Sequence, residues 1–595
     1  SSIYLGPDQF RHANQLKNDS WNAKFKATYY TGDHEIKVGL EYEKVDVFNV
    51  FLPGSNGRYV FQGLDDFEAR TASSVYYSNA FSHNKEDGAA EFANASFTAF
   101  LEDVWTVNED LTLTAGIRYE RYSTNDLPTF NQNFMDRYGF ANTSTLDGRD
   151  LITPRLGFNY VAGERTVVRG GVGIFSGGNP NVWLSNTYTN DGVTIVNSGT
   201  VSSGPLLNNI DGFSVSQGLK DLLVAGNGPV DYLNPNFKIP SVTKFNLAVD
   251  HEFNFGEIMG DGYNVTAEAL ITTVNQAAQW EELRADEKVG TAPDGRPIYN
   301  REGRGSYDIG LTNVTEGGSK VFTLSLQKQY ESGFDLFGAY TFTDSEDVNP
   351  GTSSTSTSNF GKVAVSDRVN FGVATSNYEV RHRFILNMNY VKEFIDGYKS
   401  RFSMFVTSKS GRPFSYTYDQ ASSSRDIPFG GGAEFERRDR QLIYVPTQGD
   451  SAMCYTGCVV DGDAPINSAV TEAEFMAFLS ETGLDKYAGE IAPRNSQKNP
   501  WITTMDFRFT QEIPGIMDGH KGIFTFDIQN LTNLLNSNWG RLDQVSFPSM
   551  STIGRVSITD DNKYVLTRFY NPTEPWNMNS LASVWKIRLG VRYEF

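Results

Sequence analysis

The chain has 595 residues, a net charge of −20 and only 39% hydrophobic residues, which excludes a bundle of membrane helices. Its mean hydropathy is −0.40, and it holds no run of about 18 uncharged apolar residues. With 71 acidic against 51 basic residues, nucleic acid is not expected as a partner, because phosphate backbones want a basic face. Aromatics reach 13%, beside 55 glycines, which favours strands and turns over disorder. Residues 1–4 carry neither an initiator Met nor the basic and apolar regions of a secretory signal. A signal is therefore expected to have been removed, or the chain to start partway through a longer polypeptide.

In chain order, period-2 alternation predicts about fifteen strands. They lie near 21–30, 34–45, 96–105, 111–121, 154–161, 166–175, 242–253, 263–272, 321–330, 334–343, 382–391, 400–408, 501–512, 521–530 and 584–595. In the first, Trp21, Ala23, Phe25, Ala27 and Tyr29 alternate with Asn22, Lys24, Lys26 and Thr28. In the last, Trp585, Ile587, Leu589, Val591, Tyr593 and Phe595 stand against Lys586, Arg588, Gly590, Arg592 and Glu594. A soluble sandwich would also have one apolar and one charged face, so the connections decide. Short turns at 31–33, 107–110, 162–165 and 331–333 alternate with long loops, the longest near 408–500. That asymmetry predicts an all-β fold, a transmembrane antiparallel β-barrel with short periplasmic turns and long extracellular loops. The first strand then runs towards the periplasm, and so does the fifteenth, leaving Phe595 periplasmic. Trp105 and Trp501 are expected at opposite aromatic belts. An odd count implies missing strands, because bacterial single-chain barrels have even numbers.

Several segments together carry a likeness to a known family. The hairpin Phe100-Leu101-Glu102-Asp103-Val104-Trp105 and Leu111-Thr112-Leu113-Thr114-Ala115-Gly116-Ile117-Arg118-Tyr119-Glu120 carries most of the likeness. Support comes from residues 6–14 (GPDQFRHAN), 293–297 (PDGRP), 493–496 (PRNS) and 527–536 (DIQNLTNLLN), with Trp539-Gly540. These segments resemble TonB-dependent receptors of the Oar-like branch, and the resemblance implies a 22-stranded barrel with an N-terminal plug, energised by the inner-membrane TonB complex. Residues 1–595 would then be strands eight to twenty-two, the C-terminal part of the barrel, with the plug and first strands absent. The implied function is uptake of an unidentified substrate across the bacterial outer membrane. Other readings are a barrel that binds partners through its loops and a passive porin.

The terminal Tyr593 and Phe595 resemble the signal read by the barrel assembly machinery. Cys454 and Cys458, in an oxidising compartment and without a nearby His, are expected to form a disulfide rather than a zinc site. Thr471 and Glu474 form a capping box ahead of Phe475, Phe478 and Leu479, so a short helix is expected there. Gly170-Gly171-Val172-Gly173 sits inside a strand and reads as close packing, not a nucleotide loop. The acidic groups at 344–347 and 461–463 and at Asp560-Asp561 lack EF-hand spacing and read as solvated loop charges, calcium being the alternative. The six histidines are scattered and no nucleophile or carboxylate dyad stands out, so neither an enzyme, a cofactor nor a metal is expected. Lys24, Lys26, Glu35, Lys37, Glu41, Arg118, Glu120, Arg383, Asp506, Arg508, Asp527, Lys586, Arg588 and Arg592 are expected to face a polar lumen. Expected partners are outer-membrane lipid and lipopolysaccharide and an extracellular substrate, whose contacts the sequence does not mark.

Overall fold

A computed structural model describes residues 3–178, 180–226, 228–256, 260–284, 287–299, 307–419 and 439–595. The long strands are β1 (Asn14–Thr31), β2 (His34–Phe51), β3 (Ala90–Thr106), β4 (Leu111–Ser123) and β5 (Asp150–Gly163). They continue as β6 (Thr166–Ser176), β7 (Ser241–Phe253), β8 (Tyr263–Glu282), β9 (Gly318–Gln329) and β10 (Phe334–Asp347). The last are β11 (His382–Ile395), β12 (Tyr398–Lys409), β13 (Ile502–Pro514), β14 (Lys521–Gln529) and β15 (Lys586–Glu594). Each pairs antiparallel with the next, from β1–β2 to β14–β15. The number matches the alternation in the sequence.

Many strands outrun their apolar pattern. β1 starts at Asn14 and β8 continues to Glu282, because hydrogen bonding persists where outward residues turn polar and alternation fades. One consequence is a correction. Residues 344–347, expected in a loop, form the end of β10, where Asp344 pairs with Arg381 at 2.8 Å and Asp347 with Arg494 at 2.9 Å.

Register divides the sheet into two faces. Phe25, Leu40, Ala99, Tyr119 and Ile152 sit side by side on the apolar face, and Lys24, Glu41, Thr98 and Glu120 on the polar one. Because the side-chain period is two, the whole set follows once a single pair is fixed. In lipid, an outward Arg or Lys would cost about 2–4 kcal/mol at mid-depth, so the polar face is the lumen. Trp105 adjoins the short 107–110 turn and stacks on His34 at 5.4 Å. Trp501 precedes β13 at the long-loop end and stacks on His382 at 6.0 Å. The two tryptophans thus mark opposite rims.

Among the described residues no ladder joins β1 to β15. β1 is exposed along its whole length, and β15 nearly so.

The long loops are folded. Strand Pro413–Asp419 pairs parallel with Met550–Ile558, which pairs with Tyr564–Phe569. Helix α1 (Asn181–Thr189) lies between β6 and β7, and α2 (Ser356–Gly361) between β10 and β11. Helix α3 (Glu472–Glu481) starts at the capping box of Thr471 and Glu474 and buries Phe475, Phe478 and Leu479. These join Phe414, Tyr416, Ile553, Tyr564 and Leu566 in one apolar core. Two loops, after β12 and after β14, therefore build one extracellular head.

Candidate functional site

The lumenal wall carries ladders of opposite charge. Glu41 accepts from Lys24 and, at 2.7 Å, from Arg118. Glu102 holds Lys37 at 3.4 Å and Arg155 at 3.0 Å, and Asp250 holds Arg169 at 3.0 Å. Asp527 receives Arg508 at 2.7 Å and Arg588 at 2.6 Å, linking β13, β14 and β15. These ladders join adjacent or next-but-one strands, so the wall around them is pre-paired.

At the long-loop end, α1 folds into the opening. Its Asn181 accepts from Asn94 of β3 at 2.9 Å, and its Ser185 hydroxyl from Asn49 of β2 at 3.1 Å. Tyr188 stacks on Phe92 with ring centres 4.4 Å apart. Asn49, Phe92 and Asn94 all belong to the lumenal face by register. On the far side Trp183 meets Trp280 of β8 edge-on at 4.9 Å and donates to the Ser353 carbonyl at 2.9 Å. Asn186 donates to the Ser354 carbonyl at 2.9 Å. The helix thus bridges β3 and β8, and the α2 loop packs behind it. Beside β2, β3 and β8 the mouth is narrowed by the chain's own loops.

Beside the C-terminal end of α1 lies a buried acid pair. Asp231 accepts from Asn190 at 2.6 Å. Burial, and then the nearby Asp308 carboxylate, pushes Asp231 up to about 8, against the hydrogen bonds of Asn190 and Ser356. Asp308 is ion-paired with Arg284 at 2.8 Å and Arg137 at 3.1 Å, and accepts from Tyr138. Two carboxylates in one dry pocket settle with one neutral and one paired. No part of this site was marked by a motif. Its only sequence signals are Pro180 ahead of α1 and the apolar Val182, Trp183 and Leu184 that follow.

The residues singled out by sequence are dispersed. Cys454 and Cys458 are disulfide-bonded in the head, with Cα atoms 5.9 Å apart. Tyr593 lies at the short-turn rim, its hydroxyl accepting from the Ile516 amide at 3.0 Å, and Phe595 is 96% exposed. A Cβ on Gly171 would stand 2.7 Å from the Leu156 carbonyl, so the glycine run permits close strand packing. Asp560 accepts from the Gly462 amide, and Asp561 pairs with Lys563. Among the described residues no group of three or more His, Cys, Asp or Glu side chains could hold a metal ion.

Two of the segments that carry the resemblance, 493–496 and 527–536, act as clamps. Asn530 accepts from Thr532 and donates to the Gly540 and Ser583 carbonyls, while its own amide donates to Asp506. A Cβ on Gly540 would fall 2.1 Å from the Asn530 side-chain oxygen, so only glycine fits there. Asn495 donates to the Thr375 carbonyl at 2.7 Å and Asn377 at 2.6 Å, fastening the longest loop to its neighbour. Arg296 and Asp294 form a buried pair at 2.6 Å.

A family model described as an outer membrane beta barrel domain matches residues 2–568. The chain belongs to this family. The barrel domain accordingly resides in the bacterial outer membrane. A comparison with curated proteins finds no sequence match. Among solved structures it is similar to the outer membrane transporter YddB from Escherichia coli, with 10% identity, a TM-score of 0.46, and coverage of 97% of this chain and 54% of that one. It is also similar to BauA, the ferric preacinetobactin receptor from Acinetobacter baumannii, with 11% identity, a TM-score of 0.41, and coverage of 98% and 54%. The barrel domain spans about half the length of these structures.

Proposed function

We propose that the barrel domain is the later part of a TonB-dependent importer, with earlier strands and a plug supplied by a preceding segment. The supporting observation is the pair of free edges. Among the described residues β1 is laddered only to β2 and β15 only to β14, so each leaves a row of backbone donors and acceptors unmatched. In lipid every such group must be satisfied, so further strands have to lie against both edges. A barrel wider than fifteen strands is broad enough for an aqueous channel unless something fills it. Above, α1 and its neighbours narrow the mouth; below, a plug gated by the TonB complex would complete the seal. In this arrangement an extracellular solute is captured at the mouth and released inward on energisation. Tyr593 and Phe595 serve as the assembly signal, a reading supported by the exposure of Phe595.

The test is conductance of the complete polypeptide in planar bilayers. Near-zero conductance that rises when the segment preceding the barrel strands is deleted is the expected result. A large, steady conductance from the intact protein would instead establish a porin.

A further inference from the structure

Arg383 of β11 and Lys409 of β12 stand directly opposite each other. Six residues along each strand, Asn389 pairs with Ser403, and Ser403 with Arg508 of the lumenal ladder. Even spacing keeps Arg383 and Lys409 on that lumenal face, at the end nearest the long loops. Like charges directly opposite in a ladder destabilise it. The next residues on the face give no relief, because Arg383 faces Thr341 and Lys409 faces Ile502. Arg412 adds a third cation, over the Tyr378 ring at 6.0 Å, and both guanidinium groups repel the Lys409 ammonium.

The nearby carboxylates are already engaged. Glu379 holds Arg381 at 3.0 Å and Lys498 at 2.6 Å, while Asp344 holds Arg381 and Asp347 holds Arg494. Among the described residues, none of Arg383, Lys409 and Arg412 has an ion-pair partner. A chain of net charge −20 thus concentrates three uncompensated cations at the mouth of its lumen.

We infer that Arg383, Lys409 and Arg412 bind a small multivalent oxyanion, a carboxylate- or phosphate-bearing solute. Two guanidinium forks grip paired oxygens, and the lysine supplies a point charge between them. The overall negative field repels such a solute at long range, so a local cationic station is what allows its capture. The inference rests on the uptake reading for its purpose, but binding is scored here without transport.

The experiment is lysine footprinting of the complete protein in outer-membrane vesicles with an amine-reactive acylating reagent. Citrate and inorganic phosphate are the probes, and sodium chloride at equal ionic strength is the control. Acylation of Lys409 is expected to fall at least about threefold with one of the two oxyanions, a modest binding energy. Arg383→Lys retains the protection, and Arg383→Gln with Arg412→Gln loses it. Protection by citrate alone assigns a polycarboxylate, and by phosphate alone a phosphorylated solute. Equal acylation of Lys409 with oxyanion and with chloride overturns the inference. An importer of neutral solutes would give that result while still meeting the conductance test.

Discussion

Asn530 reaches Ser583 across the last loop, its side-chain amide donating to the Ser583 carbonyl at 2.7 Å over a separation of 53 residues. The same amide serves the Gly540 carbonyl, so one buried side chain closes both ends of that loop. Removing a buried donor leaves both carbonyls unmet, at about 1–3 kcal/mol each. Asn530→Ala is expected to open residues 531–583 to protease while the strands stay protected. An unchanged cleavage pattern would show that the loop is held elsewhere.

The Asp231 carboxyl gives the mouth a pH dependence. Its folded value is about 8, against an ordinary 3.8, so between these values only the folded state keeps the proton. Stability of the mouth therefore falls as pH rises from about 4 to about 8, and then levels off. Hydrogen exchange over residues 181–233 should quicken along that course beyond its intrinsic pH trend. Asp231→Asn should remove the excess, and identical pH profiles in both proteins would dismiss Asp231 as its source.

Phe92 and Tyr188 offer a direct check that α1 rests on the inner wall. Stacked at 4.4 Å, they should show a coupling of about 1 kcal/mol in a double-mutant cycle to alanine. Additive losses would mean that the helix is not seated there.

The Cys454–Cys458 bond closes a very short loop. Chain entropy then limits its contribution to about 2 kcal/mol, confined to the head. Intact-mass analysis without reductant should find no free thiol, and the double serine variant should insert and fold normally. Detection of two free thiols would refute the bond.

The strands were legible because lipid and lumen impose opposite chemistry on alternate residues, as Phe25 beside Lys24 illustrates. Even the number of strands followed from that rule. The mouth was not legible. Asn49 meets Ser185 over 136 residues and Asn94 meets Asn181 over 87, and a single polar contact leaves no periodic trace at either end. Asn530 was visible as part of a familiar run of residues, yet its task depends on Gly540 and Ser583, which no local pattern connects to it. Residues 344–347 misled for the opposite reason, since a strand beyond the lipid zone is as acidic as a loop.

The height of the wall has its own consequence. At about 3.4 Å per residue and ~45° of tilt, the 20 residues of β8 rise roughly 48 Å along the membrane normal. The apolar band of such barrels is only about 25 Å tall. Some 20 Å of sheet, roughly, therefore stands clear of the bilayer like a chimney, with Trp280 near its top. The long loops and α1, which packs against Trp280, therefore stand well above the lipid boundary, in the aqueous layer outside the bilayer.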